Sequence, residues 1–441
     1  MLTSTSNRRQ FLHGALGAGL AWAAPMASAQ SSTDLDARLI VVFLRGAYDG
    51  LSALIPHGDA HYRAICEVLF GDGAAHYRAM RPSIALPVPD GTAQTTVALD
   101  STFGLHPALA PLYTLWQQRV LACIPCAGSP DPTRSHFEAQ HHWETGIPGK
   151  AGAAPGWMNQ LAGSQNLKAI GVGEANPLIL AGNTPVQLVP RGQAATKAGA
   201  LADSRTHDAV LRMYAGNDAV SRNFRAGAQS RLDTVQALNE TAASSTVPST
   251  MQPSPVGTRA PDPAADNGAG NAKGLQLDAQ HLGTLMRRNP ALRLGFLSAG
   301  GWDTHANQGS VQGTLANNLA SLAATLVQLR RDFSRENDVV LVMSEFGRTS
   351  AENGTGGTDH GHGNAFWLMG NRINGGRWHG VWSGLAPDNL HEGRDLPVHH
   401  DFRAVLAQVL RGTQGVRDET LAQLFPGYAW DRALNDLVRA G

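Results

Sequence analysis

"RLIVVFLRGAYDG", residues 38–50, holds six consecutive apolar residues, Leu39 to Leu44, and ends in a glycine-bearing turn. A strand with one face in water alternates apolar and polar residues. An unbroken run is buried on both faces, as in the parallel sheets of α/β proteins. The turn after it carries Asp49. In open parallel sheets the ligand crevice lies beyond the carboxyl ends of the strands, so an acid there is a candidate site residue.

Comparable runs recur along the chain. "RVLACIPCAG" (119–128), "LRLGFLSAGG" (292–301), "DVVLVMSEFG" (338–347) and "NAFWLMG" (364–370) read as strands, and "LKAIGVG" and "PLILAG" as shorter ones. Helical spacing appears in 107–119, 135–146, 276–288, 311–335 and 401–410, and residues 198–243 read as mainly helical. Strands alternating with helices predict an α/β sandwich around a mostly parallel sheet. The stretch 241–274 is rich in Pro, Ser, Ala and Gly with almost no large apolar residue, which predicts a disordered insert. With 441 residues, 42% of them hydrophobic, the chain can fill one large domain, here 30–441. Lys+Arg and Asp+Glu balance at 35 each, so no basic excess argues for nucleic acid.

The N-terminus, "SNRRQFLHGALGAGLAWAAPMASAQ", has paired Arg8-Arg9, then Phe11-Leu12, a modest apolar run and Ala27-Ser28-Ala29. This is the pattern of a twin-arginine signal peptide spanning 1–29. The expectation is export by the twin-arginine translocase to the periplasm or beyond. The apolar run is shorter than the about 18 residues of a membrane span, and no later segment reaches that length. Cys123 and Cys126 form a C-x-x-C, read as buried or disulfide-paired structural cysteines; Cys66 is the third.

Polar clusters follow the strands. In "GGWDTHANQ" (300–308), Asp303 and His305 are two apart and project to one side of an extended backbone. They can share a cation, or Asp303 can cap the next helix. Glu345 ends an apolar strand and needs a partner, either Arg348 or a metal. "NGTGGTDHGHGNAFWLMG" (353–370) sets Asp359, His360 and His362 among glycines, which are costly to order. Imidazoles with carboxylates suit zinc, with manganese or iron as alternatives. Asp359 can orient a histidine. Ser135 in "TRSHFEAQ" stands at a predicted helix start, where a serine serves as a cap, a nucleophile or both.

These motifs, "RRQFL", "VFLRGAYDGL", "TRSHFEAQ", "GGWDTHANQ", "VMSEFGRT" and "GGTDHGHGNAFWLMG", in this order resemble the DUF1501 family of exported bacterial proteins. That family is more distantly similar to the alkaline phosphatase/sulfatase superfamily. The resemblance implies a three-layer α/β/α sandwich, an anionic ester as substrate and one or two divalent ions. Asp49, Asp303, His305, Glu345 and His360 or His362 would be metal ligands, Ser135 the nucleophile, and Arg348 a steadying cation. Phe346 stands where the superfamily has a metal histidine, and the sulfatase Cys/Ser-x-Pro-x-Arg signature is absent. The resemblance therefore implies a hydrolase of phosphate more than sulfate esters. The alternative is a non-catalytic metal-binding or assembly protein on the same fold.

Overall fold

The computed structural model describes residues 37–59, 80–149, 153–244 and 263–440. The predicted signal peptide, Cys66 and residues 245–262 of the predicted insert lie outside them. The main sheet has nine strands: β1 Leu39–Leu44, β2 Leu121–Gly128, β3 Lys168–Gly173, β4 Val186–Pro190, β5 Leu292–Ala299, β6 Val339–Met343, β7 Asn364–Gly370, β8 Arg377–Trp378 and β9 His400–Asp401. Their order is β8-β2-β7-β6-β1-β5-β3-β4, with β9 also on β2. Every pairing is parallel except those of β7, which runs against β2 and β6.

The Leu39–Leu44 run is central and wholly buried. Ile40, Val42 and Leu44 enter one core, packed on helices Leu275–Arg288 and Thr314–Asp332. Leu39, Val41 and Phe43 enter the other, packed on α1 His136–Thr145 and on helices Trp157–Ser164, Phe402–Gln414 and Asp418–Leu424. This is a three-layer α/β/α sandwich. An unbroken apolar strand is needed because both faces are covered; each buried Leu, Ile or Val contributes roughly 1.5–3 kcal/mol.

Register decides where the site forms. Phe43 of β1 pairs with Ser298 of β5 and Met343 of β6, so the turns after these three strands leave at one edge. Since β7 is antiparallel, its beginning, Asn364, reaches that same edge. Residues following three strands thereby meet the glycine-rich loop that precedes a fourth.

Some expectations are corrected. "PLILAG" is no strand: Leu178–Leu180 is a 3₁₀ turn, which places Ile179 N–H on Glu144 Oε2 at 2.8 Å. The strand there is β4, an edge strand hidden from pattern reading because four of its five residues are not fully buried. The tail of the predicted insert is packed: Ala265, Ala269 and Ala272 are buried, Gly270 O accepts from Gly300 N–H, and Asp266 Oδ1 accepts from Gly301 N–H. Small residues fit there because the sheet edge leaves no room for large ones. Cys123 and Cys126 are buried free thiols, not a disulfide.

Candidate metal centre

Helix α1 supplies a polar stripe to this edge. Ser135 is its N-cap and Gly146, in the left-handed region, ends it. His136, Gln140 and Glu144 recur every four residues, hence on one face, and all three are buried against the sheet. Trp143 holds that face down: its Nε1–H donates to Glu345 O at 2.7 Å and its ring stacks on Phe402.

Three residues converge beyond the strand ends: His136, Asp303 and His360 have ligand atoms within 4.8 Å of one another, and His305 Nε2 flanks the latter two. Asp303 Oδ1 lies 3.0 Å from His305, 3.3 Å from His360 and 3.7 Å from His136. His360 Nε2 is 3.0 Å from each of the other two imidazoles. The opposite ring nitrogens fix the tautomers. Nδ1 of His136 faces Glu345 Oε1 at 2.8 Å, that of His305 faces Asp359 Oδ1 at 2.9 Å, and that of His360 faces the Arg134 carbonyl at 2.8 Å. A carbonyl or an ionised carboxylate only accepts, so each Nδ1–H donates outward, and a ring that is neutral turns its Nε2 lone pair inward. Carboxylate- and carbonyl-anchored imidazoles of this kind are the usual support of a metal-bound histidine.

Without an ion, the carboxylates hold a proton on His136 instead. Burial pushes the His136 imidazolium down, but Asp303 and Glu345 outweigh it and hold its pKa up at about 9. Burial likewise raises Glu345, yet His136 and Gln140 bring it down to about 2. Asp303 is held well below the carboxylate range: burial opposes, while the three histidines and Arg348 prevail. In the connected buried set, Arg45, Arg81 and Arg348 face Asp49, Glu144, Glu174, Asp303 and Glu345. Three cations against five carboxylates leave two negative charges; without an ion the proton on His136 offsets one, and a divalent ion in place of that proton would offset both.

The residues expected from sequence divide into three groups. Asp303, His305 and His360 meet. Glu345 stands behind them: fully buried, it accepts from Gly46 N–H (2.8 Å), Gln140 (3.0 Å) and His136, and so anchors a ligand histidine. Arg348 pairs with Asp303 at 2.5 Å, not with Glu345, and also contacts the carbonyls of Gly46, Ala47, Trp302 and Thr358 and, at 3.4 Å, Nε2 of His305. Asp49 is turned away. Arg81 holds it at 2.5 and 3.1 Å, with Ser52 and Gln308 donating as well, so a guanidinium balances its charge. His362 is also apart, its ring 4.5 Å from that of His391; burial and that neighbour push its pKa down to about 4. Phe346 stacks on His136 at 4.8 Å, packing a ligand ring. Ser135 is exposed, and its hydroxyl accepts weakly from Glu138 N–H at 3.4 Å. Asp303 caps no helix; the next one starts after Gly313.

Close backbone approach explains the glycines. At Gly46, with φ of 111°, a Cβ would lie 2.6 Å from Asp303 N; at Gly361 it would lie 2.5 Å from the Arg348 carbonyl carbon. Gly46→Ala is expected to cost about 1–3 kcal/mol through overpacking and strain and to displace Asp303. Denaturant unfolding with metal titration checks this; an alanine variant matching wild type in both would refute it.

A family model described as a protein of unknown function, DUF1501, matches residues 36–425. The chain belongs to the DUF1501 family. No curated protein matches this DUF1501 chain. Among solved structures it is similar to the alkaline phosphatase from the Antarctic bacterium TAB5, at 11% identity over 77% of this chain and 94% of that one, with a TM-score of 0.31. A mutant of that enzyme with Mg bound in its M3 site gives 12% identity, 77% and 93% coverage and a TM-score of 0.31. A mutant of the alkaline phosphatase PafA gives 12%, 55% and 61%, and 0.29. Among the described residues of this DUF1501 protein, no helix is long and apolar enough to cross a membrane.

Proposed function

We propose that this protein is an exported metal-dependent hydrolase of phosphate esters, with one divalent ion held by His136, Asp303 and His360 and flanked by His305. The observation that carries the reading is the convergence of His136, Asp303 and His360, with Nδ1 of each histidine held from behind by Glu345 or the Arg134 carbonyl. Asp49 is charge-balanced by Arg81, which supports one ion over two. An ion bound here would supply Lewis acidity toward an anionic ester. Zinc suits the donor set, as do manganese and iron. The paired arginines at 8 and 9 support export by the twin-arginine route, with folding and metal loading before translocation.

The chain's own residues would act as follows. The side chains of His136 and Asp303 are only 9% and 8% exposed, against 33% for His305 and 24% for His360, so the mouth opens on the side of the latter two. Asp359 holds His305 there. Ser135, exposed and next in the chain to a ligand histidine, is the residue proposed to attack phosphorus. Ser135→Ala is expected to cost about 1 kcal/mol from the lost cap, to leave metal content intact and to abolish hydrolysis of a phosphomonoester. Retained turnover would rule Ser135 out as nucleophile.

One observation favours a second reading. His305 Nε2 lies 3.0 Å from both Asp303 Oδ1 and His360 Nε2, and its shift onto the ion would give the four protein ligands of a structural zinc site, whereas three ligands keep a position open. A protein that carries zinc stoichiometrically and cleaves no phosphate or sulfate ester with zinc, manganese or iron bound is the non-catalytic alternative.

A further inference from the structure

Arg134 serves this site twice. Its carbonyl fixes the His360 tautomer, while its side chain reaches the turn at His391–Gly393. There a single nitrogen, Nη2, donates to both Glu392 Oε2 at 2.7 Å and Asp395 Oδ2 at 2.9 Å. The Nε–H is buried with no partner among the described residues. A buried unpaired donor is costly and calls for a ligand or water. The two carboxylates differ. Asp395 is fully buried and also held by Arg394, which in turn donates to the His360 carbonyl at 3.0 Å. Glu392 is 58% exposed and sits at a φ of 54°, which a glutamate rarely adopts. Arg348, by contrast, is committed to Asp303 and four carbonyls.

We propose that Arg134 is the anion anchor of this mouth and that Glu392 occupies it until the substrate's anionic group displaces it, which makes the substrate an ester of a small tetrahedral oxyanion. The proposal rests on the hydrolase reading for the word substrate, and on geometry alone for the anion. A guanidinium fork matches two oxygens of phosphate or sulfate. Asp395 keeps the fork aimed, while Glu392, pivoting on an exposed turn, gives way.

The test is calorimetric titration of inorganic phosphate, and separately of sulfate, into the metal-loaded full chain. Glu392→Gln removes the competing charge and is expected to tighten binding about 2- to 5-fold, the range of an exposed ion pair. Arg134→Gln is expected to weaken it about tenfold or more. Metal affinity should hold in Arg134→Gln, since the carbonyl that orients His360 is kept. Unchanged anion affinity in both variants overturns the assignment, as does loss of metal from Arg134→Gln, which would make Arg134 a structural brace. Should Arg134→Gln fail to fold, the Glu392→Gln result decides alone. The hydrolase reading fails separately: phosphate held through Arg134 with no ester cleaved keeps the anchor and removes the enzyme. Turnover with an unaltered KM in both variants does the reverse.

Discussion

Asp303→Ala is expected to abolish stoichiometric metal binding and to lower the stability of the metal-free protein by about 3 kcal/mol, the lower part of the range for breaking a buried ion pair. The two losses have different causes. Asp303 Oδ1 is the one atom within 3.7 Å of all three inward-facing imidazole nitrogens, so without it the remaining ligands have no negative charge among them. Metal-free stability falls because Arg348, itself fully buried, loses its carboxylate. The fall is moderated by the four carbonyls that still accept from Arg348. Asp303→Asn separates the effects: the amide oxygen still accepts from Arg348, so stability is largely kept while metal affinity drops. Elemental analysis of the purified protein and urea unfolding of the metal-free form read the two quantities. Full metal content in Asp303→Ala would end the case for this centre.

The strands were legible because burial on both faces leaves an unmistakable apolar run, as in Leu39–Leu44 and Val339–Met343. β4 was not, since an edge strand has one pairing partner and little burial to write into its side chains. In the site, Asp303, His305 and His360 stood out as polar residues placed at strand ends. His136 is masked in the sequence because Ser135-His136-Phe137-Glu138 fits a capping box, which accounts for the run without a ligand. The available signal was the i, i+4, i+8 stripe of His136, Gln140 and Glu144 on a helix whose buried face ought to be apolar. Asp49 misled for an instructive reason. A buried carboxylate after a strand needs a cation, but sequence does not say whether that cation is a metal or a guanidinium from 32 residues away. His362 shares its loop with His360, yet the next-but-one residue of an extended loop here meets His391 instead.

The second large effect belongs to Glu345, which touches no converging atom. Glu345→Gln is expected to weaken metal binding about 10- to 100-fold, the usual cost of neutralising the carboxylate behind a ligand histidine, with little change in the stability of the metal-saturated form, in which His136 is neutral. The amide keeps an oxygen for the donors at Gly46, Gln140 and His136, while its NH2 group can face Ser344 Oγ, now 2.8 Å from Oε2. What disappears is the negative charge that makes the His136 imidazole a stronger electron donor through Nδ1–H. Glu345→Ala would remove the acceptor too and strand buried donors, so it tests the fold more than the centre. The informative quantity is the ratio of metal dissociation constants, Glu345→Gln over wild type, measured beside a denaturation curve. Equal affinities would mean that Glu345 braces the turn at Gly46 and has no electronic hold on the ion. A large loss of stability would mean that its charge, set among Arg45, Gln140 and His136, is structural first. A weaker centre in an equally stable fold is the outcome required if the buried carboxylate tunes the metal through His136.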